Sequence, residues 1–128
     1  MTCRVLVIDD EDELRASVCE LLLEEGFSSV VARNGKEGLD FLHSCEMKPC
    51  LILLDIMMPV MSGYEFLERI AKDRALCPIP IVIMSALDNV AVTMETFGMS
   101  ARAVLRKPFD IDELLTLVTE NCRRPPTN

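Results

Sequence analysis

Tryptophan is absent from this 128-residue sequence, and all aromatic side chains together make up only 5% of it. That scarcity argues against a platform on which nucleic-acid bases stack. Basic residues are also few, since 13 lysines and arginines stand against 21 aspartates and glutamates, for a net charge of −8. So acidic a chain lacks the basic face typical of nucleic-acid-binding domains and is not attracted to anionic lipid surfaces. We therefore expect neither nucleic acid nor membrane as a direct partner.

Long apolar runs are missing as well. No stretch approaches the roughly 18 apolar residues that identify a membrane span. The N-terminus, Met1 to Arg4, leads straight into a short apolar segment, without the longer apolar core and small-residue cleavage site of a secretory signal. The sequence therefore predicts a cytoplasmic protein.

Histidine occurs once, at His43, and the cysteines form no C-x-x-C pair, so a zinc site is not expected. The even number of cysteines would permit disulfides. In a reducing compartment, however, cysteines serve mainly as small core hydrophobes, and we expect structural thiols at all of them. The six are Cys3, Cys19, Cys45, Cys50, Cys77 and Cys122.

Half of the residues are hydrophobic, and they form short β-branched runs that alternate with segments of helical spacing. Five strands alternating with five helices predict a parallel sheet covered on both faces. The best fit to this length is an α/β, flavodoxin-like, doubly wound sheet with strand order 2-1-3-4-5. We expect one domain over residues 1–122 and a flexible tail over 123–128. The five runs are Val5–Ile8, Val30–Ala32, Leu51–Leu54, Ile81–Met84 and Ala103–Leu105.

Polar side chains follow four of these runs, at the point where each predicted strand ends. Asp9 and Asp10 follow the first run, Asp55 the third, Ser85 the fourth and Lys107 the fifth. A single Asp or Ser in such a position is usually a helix cap or a turn former. Because the carboxyl ends of parallel strands share one edge, where open α/β sheets bind ligands, the joint arrangement instead predicts a functional site.

Oxygen ligands without cysteine or histidine select a hard cation, and Mg²⁺ suits a small carboxylate site. A metal-bound carboxylate beside a lysine and a hydroxyl suits phosphoryl transfer. We assign Asp55 as the nucleophile that forms an aspartyl-phosphate. Asp10 and Asp55 bind the metal, as does Asp9 either directly or through a water molecule, while Lys107 pairs with Asp55 and then with its phosphoryl group.

These segments resemble the receiver domain of bacterial two-component response regulators, including the single-domain chemotaxis regulator, an example of this strand order. The resemblance covers nearly the whole chain, and in this order and spacing the motifs are highly specific. They are Val5 to Glu11, Leu54 to Glu65, Met84-Ser85-Ala86 and Arg106-Lys107-Pro108-Phe109.

The resemblance implies transfer of a phosphoryl group to Asp55 from the phosphohistidine of a sensor kinase or a phosphotransfer protein. It also implies Mg²⁺ as cofactor, with the Met57 backbone carbonyl as a further ligand, and a cis peptide bond before Pro108. Phosphorylation would draw Ser85 toward the phosphoryl group and change a surface formed by the fourth helix, fifth strand and fifth helix. A downstream protein target would bind that surface.

The sequence departs from the family at Val104, where an aromatic residue usually changes rotamer as the switch serine moves. A β-branched aliphatic side chain cannot swing in that way, so the usual route from Ser85 to the output surface is in doubt. Met57 and Leu87 flank the phosphoryl site in similar proteins, and neither can orient an attacking water by hydrogen bonding. We therefore expect slow loss of phosphate.

Three other functions remain open at this stage. The chain could be the receiver part of a longer regulator whose output domain is missing, or a degenerate receiver that binds partners without phosphorylation. It could also be an Mg²⁺-dependent phosphatase with an aspartate nucleophile. Such enzymes typically carry a second Asp two residues after the nucleophile, where this chain has Met57, so we expect no enzymatic turnover of a substrate.

Overall fold

The structure, a computed structural model, describes residues 4–96 and 98–122. The predicted tail over 123–128 lies outside the described residues. Strands and helices alternate through these described residues. In chain order the elements are β1 (Arg4–Ile8), α1 (Asp12–Glu24), β2 (Ser28–Ala32), α2 (Gly35–Ser44), β3 (Leu51–Asp55), α3 (Gly63–Ala71), β4 (Ile81–Ser85), α4 (Val90–Thr96), β5 (Ala103–Arg106) and α5 (Ile111–Asn121).

The strands form one parallel sheet in the order β2-β1-β3-β4-β5, which confirms the predicted topology. The register pairs Ile8 with Leu54, Asp55 with Met84, and Ser85 with Arg106. Each strand therefore ends within about one residue of its neighbour. This common ending brings the polar residues that follow the strands to one edge of the sheet.

Alternate residues of the three central strands point to opposite faces, as the two-residue period of a strand requires. One face packs with α2, α3 and α4 and contains the side chains of Ile8, Leu54 and Ile83. The other packs with α1 and α5 and contains those of Val7, Leu53 and Met84. Because both faces are buried, β1, β3 and β4 have the continuous apolar sequences that predicted a doubly covered sheet.

The ends of several helices coincide with residues suited to capping. The side chains of Asn34, Ser62 and Asp110 accept hydrogen bonds from the backbone N–H groups of the first turns of α2, α3 and α5. Gly26, just past the end of α1, has a φ of 86°, the left-handed conformation in which glycine commonly ends a helix. No helix within the described ranges 4–96 and 98–122 is both long and apolar enough to cross a membrane.

The prediction that all cysteines are thiols is wrong for Cys50 and Cys122, which form a disulfide across 72 residues of sequence. Cys50 precedes β3 and Cys122 follows α5. The fold brings the Cα atoms of these two residues to within 5.4 Å of each other. Sequence spacing alone gives no sign of this proximity, because it arises from the winding of the sheet. Cys19, Cys45 and Cys77 are thiols, as predicted, and Cys3 lies outside the described residues.

Candidate functional site

Three carboxylates meet at the carboxyl edge of the sheet. Asp9 and Asp10 follow β1, Asp55 ends β3, and one oxygen from each lies within 4.8 Å of the others. Asp9 and Asp55 are buried, whereas Asp10 is exposed. The structure thus brings together the three acids that the sequence predicts as metal ligands, with one open to solvent.

Lys107 lies among these acids with only 14% of its side chain exposed. Its Nζ donates a hydrogen bond to Asp9 Oδ2 at 2.8 Å, and it lies 3.7 Å from Asp55 Oδ1. The predicted pairing with Asp55 is therefore present, but the shorter contact is with Asp9. One ammonium group consequently neutralises only part of the charge of three carboxylates.

Ser85 is the last residue of β4 and is completely buried. Its hydroxyl oxygen accepts a hydrogen bond from the Leu87 N–H at 3.0 Å, and its carbonyl accepts one from the Lys107 N–H at 2.7 Å. The peptide bond between Lys107 and Pro108 is cis, as the family resemblance implies. The β4 and β5 ends are thus joined by the backbone of Ser85 and Lys107.

The surroundings at this edge shift the pKa values of two groups, Asp55 and Lys107. Burial and the nearby charge of Asp9 raise the pKa of Asp55 to about 6, against the opposing effects of Lys107 and a Met57 N–H. For Lys107, burial alone would lower the pKa, but the hydrogen bond that its ammonium group donates to Asp9 and the charge of Asp55 raise it overall. Burial and the charge of Asp9 therefore outweigh the opposing contacts of Asp55 with Lys107 and the Met57 N–H.

The donor set fits a divalent cation. All three candidate ligands are carboxylates, which suit the hard ion Mg²⁺. A cation between them would offset the repulsion that raises the pKa of Asp55. The exposure of Asp10 leaves one side accessible to the water molecules that Mg²⁺ usually retains.

The loop after β3 holds Asp55 in place through a close backbone contact. At Gly63, the first residue of α3, a Cβ would lie 2.6 Å from both the Asp55 carbonyl oxygen and the Ile56 Cα. The Gly63 N–H donates to the Ile56 carbonyl at 2.9 Å. Any side chain here would displace the backbone of Asp55, the candidate nucleophile, so this loop depends on glycine.

The same loop contains a strained residue. Val60 has a φ of 72°, a left-handed conformation that is unusual for a β-branched side chain. Its side chain is 75% exposed, so packing does not compensate for the backbone cost. Met57, which donates its N–H to Asp55, is 61% exposed in the same loop. Apolar side chains therefore project into solvent beside the candidate nucleophile.

Two residues with contacts at this site were not predicted. The Glu11 carboxylate lies 3.5 Å from Lys107 Nζ, although its charge suggests only a favourable interaction with the α1 dipole. Arg15, one turn into α1, donates to the Asp9 carbonyl at 2.7 Å and also pairs with Asp12. The signal in the sequence was the position of Arg15 five residues after Asp10. This position places a guanidinium in the first turn of α1, close to the site.

The predicted switch residue Val104 lies on the edge strand β5, paired with Ile83 and 38% exposed. Leu87, in the loop after β4, is 36% exposed. Leu87 and Val104 therefore present apolar side chains at the surface on the β4–β5 side of the sheet. A groove between β5 and α5 is lined in part by Val104, Thr116 and Leu117.

Comparisons with known proteins agree with this geometry. The model of the response regulator receiver domain matches residues 5–119. Response regulator Rre1 of Synechocystis sp. is 35% identical over 115 residues, covering 89% of this chain and 49% of its own. The probable transcriptional regulator ycf29 of Pyropia yezoensis is 31% identical over 118 residues, covering 92% of this chain and 52% of its own.

Among solved structures, the receiver domain of the Francisella response regulator 1452 is 31% identical and superimposes with a TM-score of 0.84. The match covers 96% of this chain and 98% of that one. By contrast, this chain spans about half the length of the curated relatives described above. The similarity to those longer proteins is therefore confined to one part of each.

Proposed function

Because the chain belongs to the response regulator receiver domain family, we propose that it is a cytoplasmic, phospho-accepting signalling switch in which Asp55 is the phosphorylated residue. The observation that carries this proposal is the meeting of Asp9, Asp10 and Asp55 with Lys107 at one sheet edge. The phosphoryl donor is a phosphohistidine on a sensor kinase or a phosphotransfer protein. The receiver domain extends over residues 1–122, with 123–128 as a tail.

In the proposed reaction, a carboxylate oxygen of Asp55 forms a bond to phosphorus as the bond from phosphorus to the donor's histidine nitrogen breaks. Lys107, already 3.7 Å from Asp55, stabilises the negative charge on the transferring group. The buried Ser85 hydroxyl can keep the Leu87 N–H as a donor while its own hydrogen turns to the phosphoryl group. Phosphorylation thus gives Ser85 a new partner.

Mg²⁺ is the proposed cofactor, held by Asp10 and Asp55, by Asp9 directly or through water, and by the Met57 backbone carbonyl. When bound, it neutralises the phosphoryl oxygens and the clustered carboxylates. The support for this assignment is the all-oxygen donor set and the repulsion that raises the pKa of Asp55. Lys107 then remains free to contact the phosphoryl group.

The proposed output is a change in the surface formed by α4, β5 and α5, which a downstream protein binds. Direct binding to nucleic acid or membrane is not part of the proposal, in keeping with the net charge of −8. Val104 is the proposed switch position on β5, where its short side chain transmits less movement than a rotating aromatic ring. The chemistry is confined to the chain's own phosphorylation and dephosphorylation, so no substrate is turned over.

The test is to incubate the chain with a small phosphodonor and Mg²⁺ and to measure its intact mass. We expect an adduct of about 80 Da, one phosphoryl group, that disappears in Asp55→Asn and when EDTA removes the metal. Asp40→Asn, an exposed aspartate on α2, is the matched control and should be phosphorylated normally. Failure to form an adduct would favour a degenerate receiver, and sustained release of phosphate would favour a phosphatase.

A second candidate is supported by the length of the relatives. The curated relatives are about twice as long, and one is named as a probable transcriptional regulator. This chain could therefore be the receiver part of a longer regulator whose output domain acts on transcription. Sequencing the gene and its transcript would distinguish the two, because a downstream domain in the same reading frame would support the longer regulator.

A further inference from the structure

The disulfide between Cys50 and Cys122 lies at the opposite edge of the sheet from the acidic site. Cys50 immediately precedes β3, the strand that ends at Asp55, and Cys122 caps the C-terminus of α5. Cys122 is 2% exposed, whereas Cys50 is partly exposed. One covalent bond therefore links the start of the central strand to the end of the last helix.

Cys122 lies at the C-terminal end of α5, so the bond restrains that end of the helix. The buried residues of this helix are Leu114 and Val118, and Cys122 continues that four-residue spacing onto the same core. The Cys122 N–H donates to the Val118 carbonyl at 2.7 Å, so the bonded residue is still part of the last helical turn. The bond therefore adds a covalent link to the packing of Leu114, Val118 and the partly buried Leu117 on this core.

We propose that Cys50 and Cys122 are a site of reversible thiol oxidation that controls how firmly the C-terminal end of α5 is held. In a reducing cytoplasm, disulfides are usually transient and serve catalysis or redox sensing. The bond joins two structural elements and lies far from the acidic cluster, which favours sensing. The cytoplasmic location and any effect on partner binding rest on the proposed function, but formation of the bond does not depend on phosphorylation of Asp55.

The oxidant is a low-molecular-weight disulfide such as oxidised glutathione. The thiolate of the more accessible Cys50 attacks it, forming a mixed disulfide and releasing one glutathione thiol. The Cys122 thiolate then attacks the Cys50 sulfur, forming the protein disulfide and releasing the second glutathione thiol. Two protein thiols thus lose two electrons and two protons in total, and one glutathione disulfide gains them.

The first measurement maps the bond. The chain is equilibrated in glutathione buffers of graded ratio, its free thiols are alkylated, and its peptides are identified by mass spectrometry without reduction. We expect a peptide pair joined through Cys50 and Cys122 whose fraction rises as oxidised glutathione increases. A chain in which Cys3, Cys19, Cys45 and Cys77 are replaced by alanine should behave in the same way, because the proposal requires only the remaining two thiols.

The second measurement is hydrogen–deuterium exchange in the oxidised and reduced forms. Reduction should accelerate exchange in the last turn of α5 on the order of tenfold and leave α2 unchanged. In Cys122→Ala, the difference between oxidising and reducing buffers should vanish. The proposal is overturned if the bond is absent, if it stays formed or broken in every buffer, or if α5 exchanges equally in both forms. None of these results depends on whether Asp55 accepts a phosphoryl group.

Discussion

The two edges of the parallel sheet have opposite effects on the stability of the fold. At the carboxyl edge, the burial of Asp55 and the nearby charge of Asp9 raise the pKa of Asp55. At the amino edge, the bond between Cys50 and Cys122 joins strand and helix within an apolar core. The first edge lowers stability in exchange for reactive groups, and the second supplies a constraint that stabilises the fold. Removing a buried charge at the first edge and removing the bond at the second should therefore change stability in opposite directions.

The largest expected effect is at the amino edge. Reducing the bond between Cys50 and Cys122 should lower the free energy of unfolding by about 4 kcal/mol, because a link across 72 residues strongly restricts the unfolded chain. Urea unfolding of the oxidised and reduced chain measures this difference. To isolate this bond, the comparison is made in the chain with alanine at the other four cysteines. A difference below about 1 kcal/mol would mean that this edge is not covalently stabilised.

A slightly smaller loss is expected at the carboxyl edge when the loop geometry is changed. Gly63→Ala should lower the free energy of unfolding by about 3 kcal/mol, since its Cβ would lie 2.6 Å from the Asp55 backbone. It should also reduce phosphorylation by the small phosphodonor. Gly35→Ala is the matched control, because its Cβ would meet only the flexible Met61 side chain at 3.1 Å. Equal losses in the two variants would contradict the special role of Gly63.

Removing a charge from the same edge should instead stabilise the protein. The pKa of Asp55 is raised from 3.8 to about 6, so the metal-free folded state loses stability as the pH rises between those values. Asp55→Asn should therefore raise the free energy of unfolding by about 3 kcal/mol near pH 7.5 and by about a third of that near pH 4.5. Urea unfolding in EDTA at both pH values measures this. A gain that is independent of pH would exclude the ionised Asp55 carboxylate as its cause.

The sequence predicts the acidic edge but not the disulfide, because only the first follows from patterns that are local in the sequence. The apolar runs predict the strands, and the parallel order then places Asp9, Asp55 and Lys107 at one edge, as the structure confirms. The bond between Cys50 and Cys122 was not predicted, because residues far apart in sequence carry no local signal of contact. The functional roles of Asp9, Asp55 and Lys107 remain predictions.

Details within the site were also beyond local patterns. The sequence does not show that Lys107 lies closer to Asp9 than to Asp55, because that preference depends on side-chain positions at three strand ends. Nor does it show the left-handed backbone of Val60, since valine is a poor indicator of such a conformation. Sequence patterns thus predicted which groups meet, whereas the distances among them required the structure.

Relieving strain in the β3–α3 loop should give a smaller gain. Val60→Asn should raise the free energy of unfolding by about 1 kcal/mol, because asparagine tolerates a φ of 72° better than a β-branched residue does. Val92→Asn is the control, since Val92 is similarly exposed at 66% but lies in the regular helix α4. Thermal unfolding measures both. Stabilisation by both variants would point to lost surface hydrophobicity rather than to relief of strain.

The smallest effect concerns how long the carboxyl edge stays modified. Met57 and Leu87 are apolar and partly exposed beside the proposed phosphorylation site, and neither side chain can hold an attacking water by a hydrogen bond. If they shield phospho-Asp55, Met57→Ala and Leu87→Ala should each shorten its half-life by about threefold, a change of less than about 1 kcal/mol in the barrier. Intact mass followed over time after removal of the phosphodonor measures the decay. Leu23→Ala, an exposed residue on α1, should leave the half-life unchanged. An unaltered half-life in the first two variants would show that water reaches the phosphoryl group without passing these side chains, and slow decay would then have to come from the buried groups of the site itself.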